Sequence, residues 1–149
     1  MKKHILSVVI ALSLLATLTV IGLANYTSRI RADIPFDFMV GNKQLPAGQY
    51  AIWSGTTSST LTIRSEDAKH AAMFLVQGGQ IAKGELQAKL DFHRYGNQYF
   101  LAQVWDGVSD TGQQLLKSKA EREAAKKRDY ITQNTGEPEV VSVLASVGQ

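Results

Sequence analysis

The sequence predicts an all-β domain, an antiparallel β-sandwich or small β-barrel of six to eight strands, with one α-helix in its C-terminal half. Three observations carry this expectation. Residues 34–40, IPFDFMV, alternate with the period of a strand that buries one face. Residues 90–105, LDFHRYGNQYFLAQVW, set a Gly-Asn pair between two aromatic runs, a two-residue hairpin signal. Ser118-Lys119-Ala120-Glu121 then reads as a helix start.

In chain order, Ile34, Phe36, Phe38 and Val40 face one side of the first strand. Pro35 lacks an N–H, so that strand lies at an edge or begins there. Gly41-Asn42-Lys43 turns the chain, as does Leu45-Pro46-Ala47-Gly48, with proline where its fixed φ fits. Gln49–Trp53 and Thr60–Arg64 are strands, separated by a Gly/Ser/Thr loop. Ala71–Val76 is apolar on both faces, as in a central strand, and Gln77–Gln87, with three glycines, reads as a loop.

With Gly96 and Asn97 in the turn, Tyr95 faces Gln98, Arg94 faces Tyr99, His93 faces Phe100 and Phe92 faces Leu101. Leu90, Phe92, Tyr99, Leu101 and Trp105 then form the core face. Asp91, His93, Tyr95, Phe100 and Val104 form a mixed, wetter face. After the turn-rich GVSDTG, Ser118 caps a helix running to about Arg128, and Glu121 reaches back to complete a capping box. Its apolar residues are Ala120, Ala124 and Ala125, so it packs lightly. Val140–Ala145 is the last strand.

The amino terminus stands apart. Lys2 and Lys3 precede an uncharged apolar run, Ile5–Leu23, and Gly22 and Ala24 supply the small residues a signal peptidase requires. The expectation is a signal peptide, residues 1–24, cut after Ala24, with a cut nearer Ala32 as an alternative. A linker over 25–32 and one domain over 33–149 would follow. The run also approaches the roughly 20 residues that span a bilayer, so retention of residues 5–23 as an inner-membrane anchor is the rival reading. Both put the domain outside the cytoplasm, in the periplasm or beyond the cell.

The 149 residues suit one domain and contain no cysteine, so an exported chain must rely on its core, and thiolate metal or redox chemistry is excluded. The formal charge of +3 includes Lys2 and Lys3. The mature part is near neutral, and nucleic acid is not expected as a partner.

The segments IPFDFMVGNKQLPAGQY, LDFHRYGNQYFLAQVW and GQQLLKSKAERE together resemble a family of small exported bacterial proteins of unknown function, over most of the mature chain. The family pattern has a proline before the lysine that opens the helix segment, where this chain has Leu116. The resemblance implies export and a single compact domain, and brings no activity or site with it. Leu-Pro-Ala-Gly-x-Tyr also looks like a turn of transthyretin-like and immunoglobulin-like sandwich modules.

Candidate sites are few. Asp91 and His93 lie two residues apart on one strand face and could form an acid–base dyad for a hydrolase. No GxSxG or HExxH pattern accompanies them, so both read better as polar residues of a hairpin. The mature chain has only His70 and His93 beside its carboxylates, without zinc or EF-hand spacing, so neither a metal nor a cofactor is expected. The segment Lys117–Arg128 has six basic and two acidic residues but no large apolar face, and reads as a solvated helix. Tyr95, Phe100 and Trp53, with His93 and Asp91, are the ligand- or partner-binding candidates, because aromatics recur in such surfaces.

The function expected is that of a non-catalytic cell-envelope module engaging a protein or surface polymer. The alternative is a small barrel holding an apolar ligand among Phe36, Phe38, Phe92 and Trp105, which requires a cavity of about 300 Å³ or more.

Overall fold

The computed structural model describes residues 29–54, 59–82, 84, 86–132 and 137–148. The proposed signal or anchor, residues 1–24, lies outside the described residues. The elements in order are β1 (Arg29–Ile34), β2 (Phe38–Val40), β3 (Lys43–Leu45), β4 (Gly48–Ser54), β5 (Thr60–Ser65), β6 (Ala71–Ile81), β7 (Ala88–Tyr95), β8 (Gln98–Asp106), β9 (Thr111–Leu115), α1 (Lys119–Thr132) and β10 (Glu139–Gly148).

Of the two architectures expected, the chain adopts the barrel. Strands β8-β7-β10-β1-β4-β5-β6-β9 are neighbours in that order, and β9 pairs back onto β8 to close eight antiparallel strands. Closure leaves no free sheet edge among them. The β2–β3 hairpin is an appendage: Met39 pairs in parallel with Phe100, so the first part of β8 serves β2 and a later part serves β9.

Alternation along each strand fills the inside. In β1, Ile30, Ala32 and Ile34 are buried between exposed neighbours, and Tyr50, Ile52, Leu61, Ile63, Leu90 and Phe92 continue this layer around the barrel. Burying one such side chain contributes about 1.5–3 kcal/mol. Phe38 meets Tyr50 and Phe92 edge-on, with ring centroids 5.2 and 5.5 Å away. Phe36 stacks on Tyr99 at 3.9 Å and meets Phe92 edge-on at 5.2 Å. Among the described residues, the cavity lined by Ile30, Ile52, Leu61, Val104 and Gln113 at one end of the barrel is about 20 Å³. That is room for about one water molecule.

Several expectations are corrected. Arg29–Ala32 is strand, the first part of β1, where a linker was expected. β1 joins β10 to β4, and a cut after Ala32 would remove most of it. Ile34–Val40 is not one strand; it breaks after Ile34, where Asp37 turns aside to accept a hydrogen bond from the Ala47 N–H at 2.9 Å. β6 runs on to Ile81 through the expected loop, with its register shifting between Gly78 and Ile81. Its outer face is not covered, since Met73 and Leu75 are exposed. The strands β3 and β9 were not expected, and α1 extends four residues past Arg128.

The hairpin register holds as expected from Tyr95–Gln98 to Phe92–Leu101. Asp91 then pairs with Gln103, so Ala102 is the extra residue of a bulge. Beyond it every side chain changes face. Val104, expected on the wetter face, is in the core, and Trp105, expected inside, lies on the outer wall opposite Lys89.

Candidate functional site

The helix α1 crosses the outer wall of β7 and β8, and most of the sequence-selected residues lie beneath or beside it. Its start follows from local chemistry. The Ser118 hydroxyl oxygen accepts the Glu121 N–H at 3.1 Å, and the Arg122 N–H bonds the Ser118 carbonyl at 3.0 Å. This is an N-cap. The Glu121 carboxylate, expected to complete the capping box, points into the barrel wall instead. Its Oε1 lies 2.7 Å from His93 Nδ1 and accepts the Tyr95 hydroxyl at 3.4 Å. The carboxylate is buried.

Tyr95 and Phe100 pack edge-on at 5.8 Å and form a small second core with Ala124. The Arg128 guanidinium covers the Tyr95 ring at 5.3 Å. Burial pushes the Tyr95 phenol up to about 12, with the Glu121 charge acting in the same direction and Arg128 against it. Tyr95 and Phe100 are therefore covered rather than open to a partner; they are the seat of the helix.

Asp91 belongs to a different network. Its carboxylate accepts the Trp105 indole N–H at 2.7 Å and the Ser142 hydroxyl at 2.5 Å, and lies 3.2 Å from Lys89 Nζ. Lys89 also covers the Trp105 ring at 5.3 Å. Asp91 and His93 share a face, as expected, but each is held by other partners. Ser142 donates to Asp91 rather than to His93, so the three do not form a nucleophile–base–acid relay.

Trp53, the fifth candidate, is nowhere near the others. It lies on β4, on the wall across the barrel from α1, between the guanidinium groups of Arg29 at 5.2 Å and Arg64 at 5.6 Å. Among the described residues no three His, Asp or Glu side chains come together to hold a metal ion.

Nothing in the sequence motifs marked Glu121 as a partner of His93, or Trp105, Ser142 and Lys89 as partners of Asp91. Ser142 could have been found by pairing the last strand with the hairpin, since the register sets it opposite Asp91. Two open surface grooves adjoin these networks. One, of about 440 Å³, is lined by Gln80, Gln87, Lys89, Asp91 and Trp105. The other, of about 540 Å³, lies between the hairpin tip and α1, among Arg94, Tyr95, Lys127 and Arg128. No protein-family model, curated protein or solved structure matches the chain.

Proposed function

We propose that the chain is a non-catalytic β-barrel module of the bacterial cell envelope, exported by its N-terminal apolar segment and acting through its outer surface. One observation carries this reading: among the described residues, the barrel interior is filled. A cavity of about 20 Å³ is far below the roughly 300 Å³ that a small-molecule site needs. Trp105, one of the four side chains proposed to line an internal ligand, lies on the outside wall. This speaks against the ligand-carrying alternative.

The state of the polar groups supports the same reading. Asp91, His93, Glu121 and Ser142 are engaged with one another or with the helix, which suits fixing α1 and β10 to the wall. The apolar run, the small residues Gly22 and Ala24 and the resemblance to small exported bacterial proteins support export. A cut after Ala24 leaves every described strand of the barrel in place. Retention of the run would tether the barrel at the inner membrane instead.

The test is a native mass spectrum of the protein exported under its own N-terminus. The expected result is the bare mass of the mature or tethered chain, or clean multiples of it. An added small-molecule mass that disappears on denaturation would overturn the reading in favour of a carried ligand.

A further inference from the structure

The wall across the barrel from α1 has its own pattern. Outward residues on β1, β4, β5 and β6 form two rows fixed by register. Arg29 pairs with Trp53, Trp53 with Thr62 and Thr62 with Met73; beside them Arg31 pairs with Ala51, Ala51 with Arg64 and Arg64 with Ala71. Two arginines flank the Trp53 indole and the third stands one row away. All three arginines are exposed. Among the described residues, none of them lies within ion-pair distance of a carboxylate. The outward carboxylate on β1 is Asp33, two residues beyond Arg31 and opposite Gln49. The wall therefore carries a surplus of positive charge around one aromatic ring, bordered by the exposed side chains of Met73 and Leu75.

We infer that this wall docks on the anionic phosphate headgroups of a phospholipid surface, with Arg29, Arg31 and Arg64 as phosphate ligands and Trp53 at the interface. Three things on the molecule select this occupant. The guanidinium fork matches phosphate oxygens, and these three forks are free of carboxylates. Tryptophan favours the headgroup level, with an apolar body and a polar N–H. The chain also arrives from the right place: the apolar run ends at Leu23, six residues before Arg29. Six residues reach at most about 20 Å. While the run sits in a bilayer, the start of β1 stays that close to the membrane surface. The inference rests on the export reading in its tethered form, with residues 5–23 retained, and adds which wall faces the membrane.

The test places the full 149-residue chain in vesicles of phosphatidylcholine, with and without phosphatidylglycerol. It follows the part of the tryptophan emission that Trp53→Phe removes. With phosphatidylglycerol, that emission is expected to move to shorter wavelength and to be quenched by brominated acyl chains, and added salt should reverse both changes. One arginine near an anionic surface contributes a bias of about fivefold, so each of Arg29→Gln, Arg31→Gln and Arg64→Gln should lower the docked-to-free ratio by about that factor. The triple variant should abolish the response while keeping its β-sheet circular dichroism. Equal Trp53 emission in the two kinds of vesicle, with the chain held in both, would overturn the docking and leave the exported module intact. A response to soluble dextran sulfate without one to phosphatidylglycerol would also overturn it, in favour of an acidic polymer. A chain recovered from the cytoplasm when made with its own N-terminus would overturn both readings.

Discussion

Glu121 Oε1 on the helix and His93 Nδ1 on the barrel wall stand 2.7 Å apart, and the same oxygen accepts the Tyr95 hydroxyl at 3.4 Å. This latch matters because α1 has little else to hold it: Ala124 is its buried apolar residue, and Ala120 and Ala125 are only partly covered. Glu121→Ala would leave the imidazole and the phenol under the helix without their acceptor. The expected loss is about 1–3 kcal/mol in urea unfolding. Helix amides should exchange hydrogen faster than those of β1 and β4, since the helix loosens before the barrel. A double-mutant cycle with His93→Ala checks the pairing; strictly additive losses would show that the two side chains do not couple.

Asp91 ties three elements together through Trp105 on β8, Ser142 on β10 and Lys89 on β7 itself. Asp91→Ala is expected to lower stability by roughly 2–3 kcal/mol, because hydrogen bonds to a charged, buried acceptor are lost and two donors are stranded. Asp91→Asn, which keeps the shape and one acceptor oxygen, should lose less. Denaturant midpoints of the two variants separate these outcomes; equal losses would place the effect in packing rather than in the carboxylate.

The hairpin shows what the sequence could and could not reveal. Gly96 takes φ +62° in the turn, as the Gly-Asn pair led one to expect, and four cross-strand pairs follow from it. The bulge at Ala102 then breaks strict alternation, and the expected positions of Val104 and Trp105 exchange faces. A trace was present: the core residues Leu101 and Val104 are three apart, where an unbroken strand spaces them by two. β9, TGQQL, carried no such trace. Glycine and glutamine give no apolar period, and this segment is a strand because its backbone closes the barrel between β6 and β8. The glycines of β6 misled in the same way. Gly79 and Gly112 leave room for the Gln103 side chain, which a Cβ at either position would strike. Of the candidate site, the shared face of Asp91 and His93 was legible. Their partners were not, because those come from α1 and β10, set beside β7 only by the closed topology.

Ala68, in the turn between β5 and β6, has φ +59°, a left-handed conformation that costs a residue with a Cβ about 1–2 kcal/mol. Asp67 fixes this turn by accepting the Ser65 hydroxyl and the Lys69 N–H at 3.1 Å, and these bonds, the Ser65 one foremost, hold its carboxyl below the usual range. Ala68→Gly relieves the backbone, while the freer unfolded chain returns about 0.4–1 kcal/mol of the gain. The expected outcome is a net stabilisation of up to about 1 kcal/mol, seen as a higher denaturant midpoint with unchanged slope. A loss of stability would mean that the Ala68 methyl packs on something that outweighs its strain.

Tyr95 makes stability depend on alkaline pH. Burial, then the Glu121 charge, raises its phenol from 10.0 to about 12. The folded state thus holds the proton more tightly than the unfolded chain, so the contribution of Tyr95 is fully present below pH 10.0 and is lost as pH rises through about 12. Ionisation in place would set a phenolate beside the buried Glu121 carboxylate, which is why the helix should release first. Tyr95→Phe removes the titrating group while keeping the ring against Phe100, and at neutral pH it should cost less than about 1.5 kcal/mol, since the bond it deletes is long. Unfolding free energies measured from neutral to strongly alkaline pH should therefore fall more steeply for the parent than for the variant. Parallel curves would mean that Tyr95 ionises as readily in the folded chain as in the unfolded one, and that α1 does not seal it from solvent.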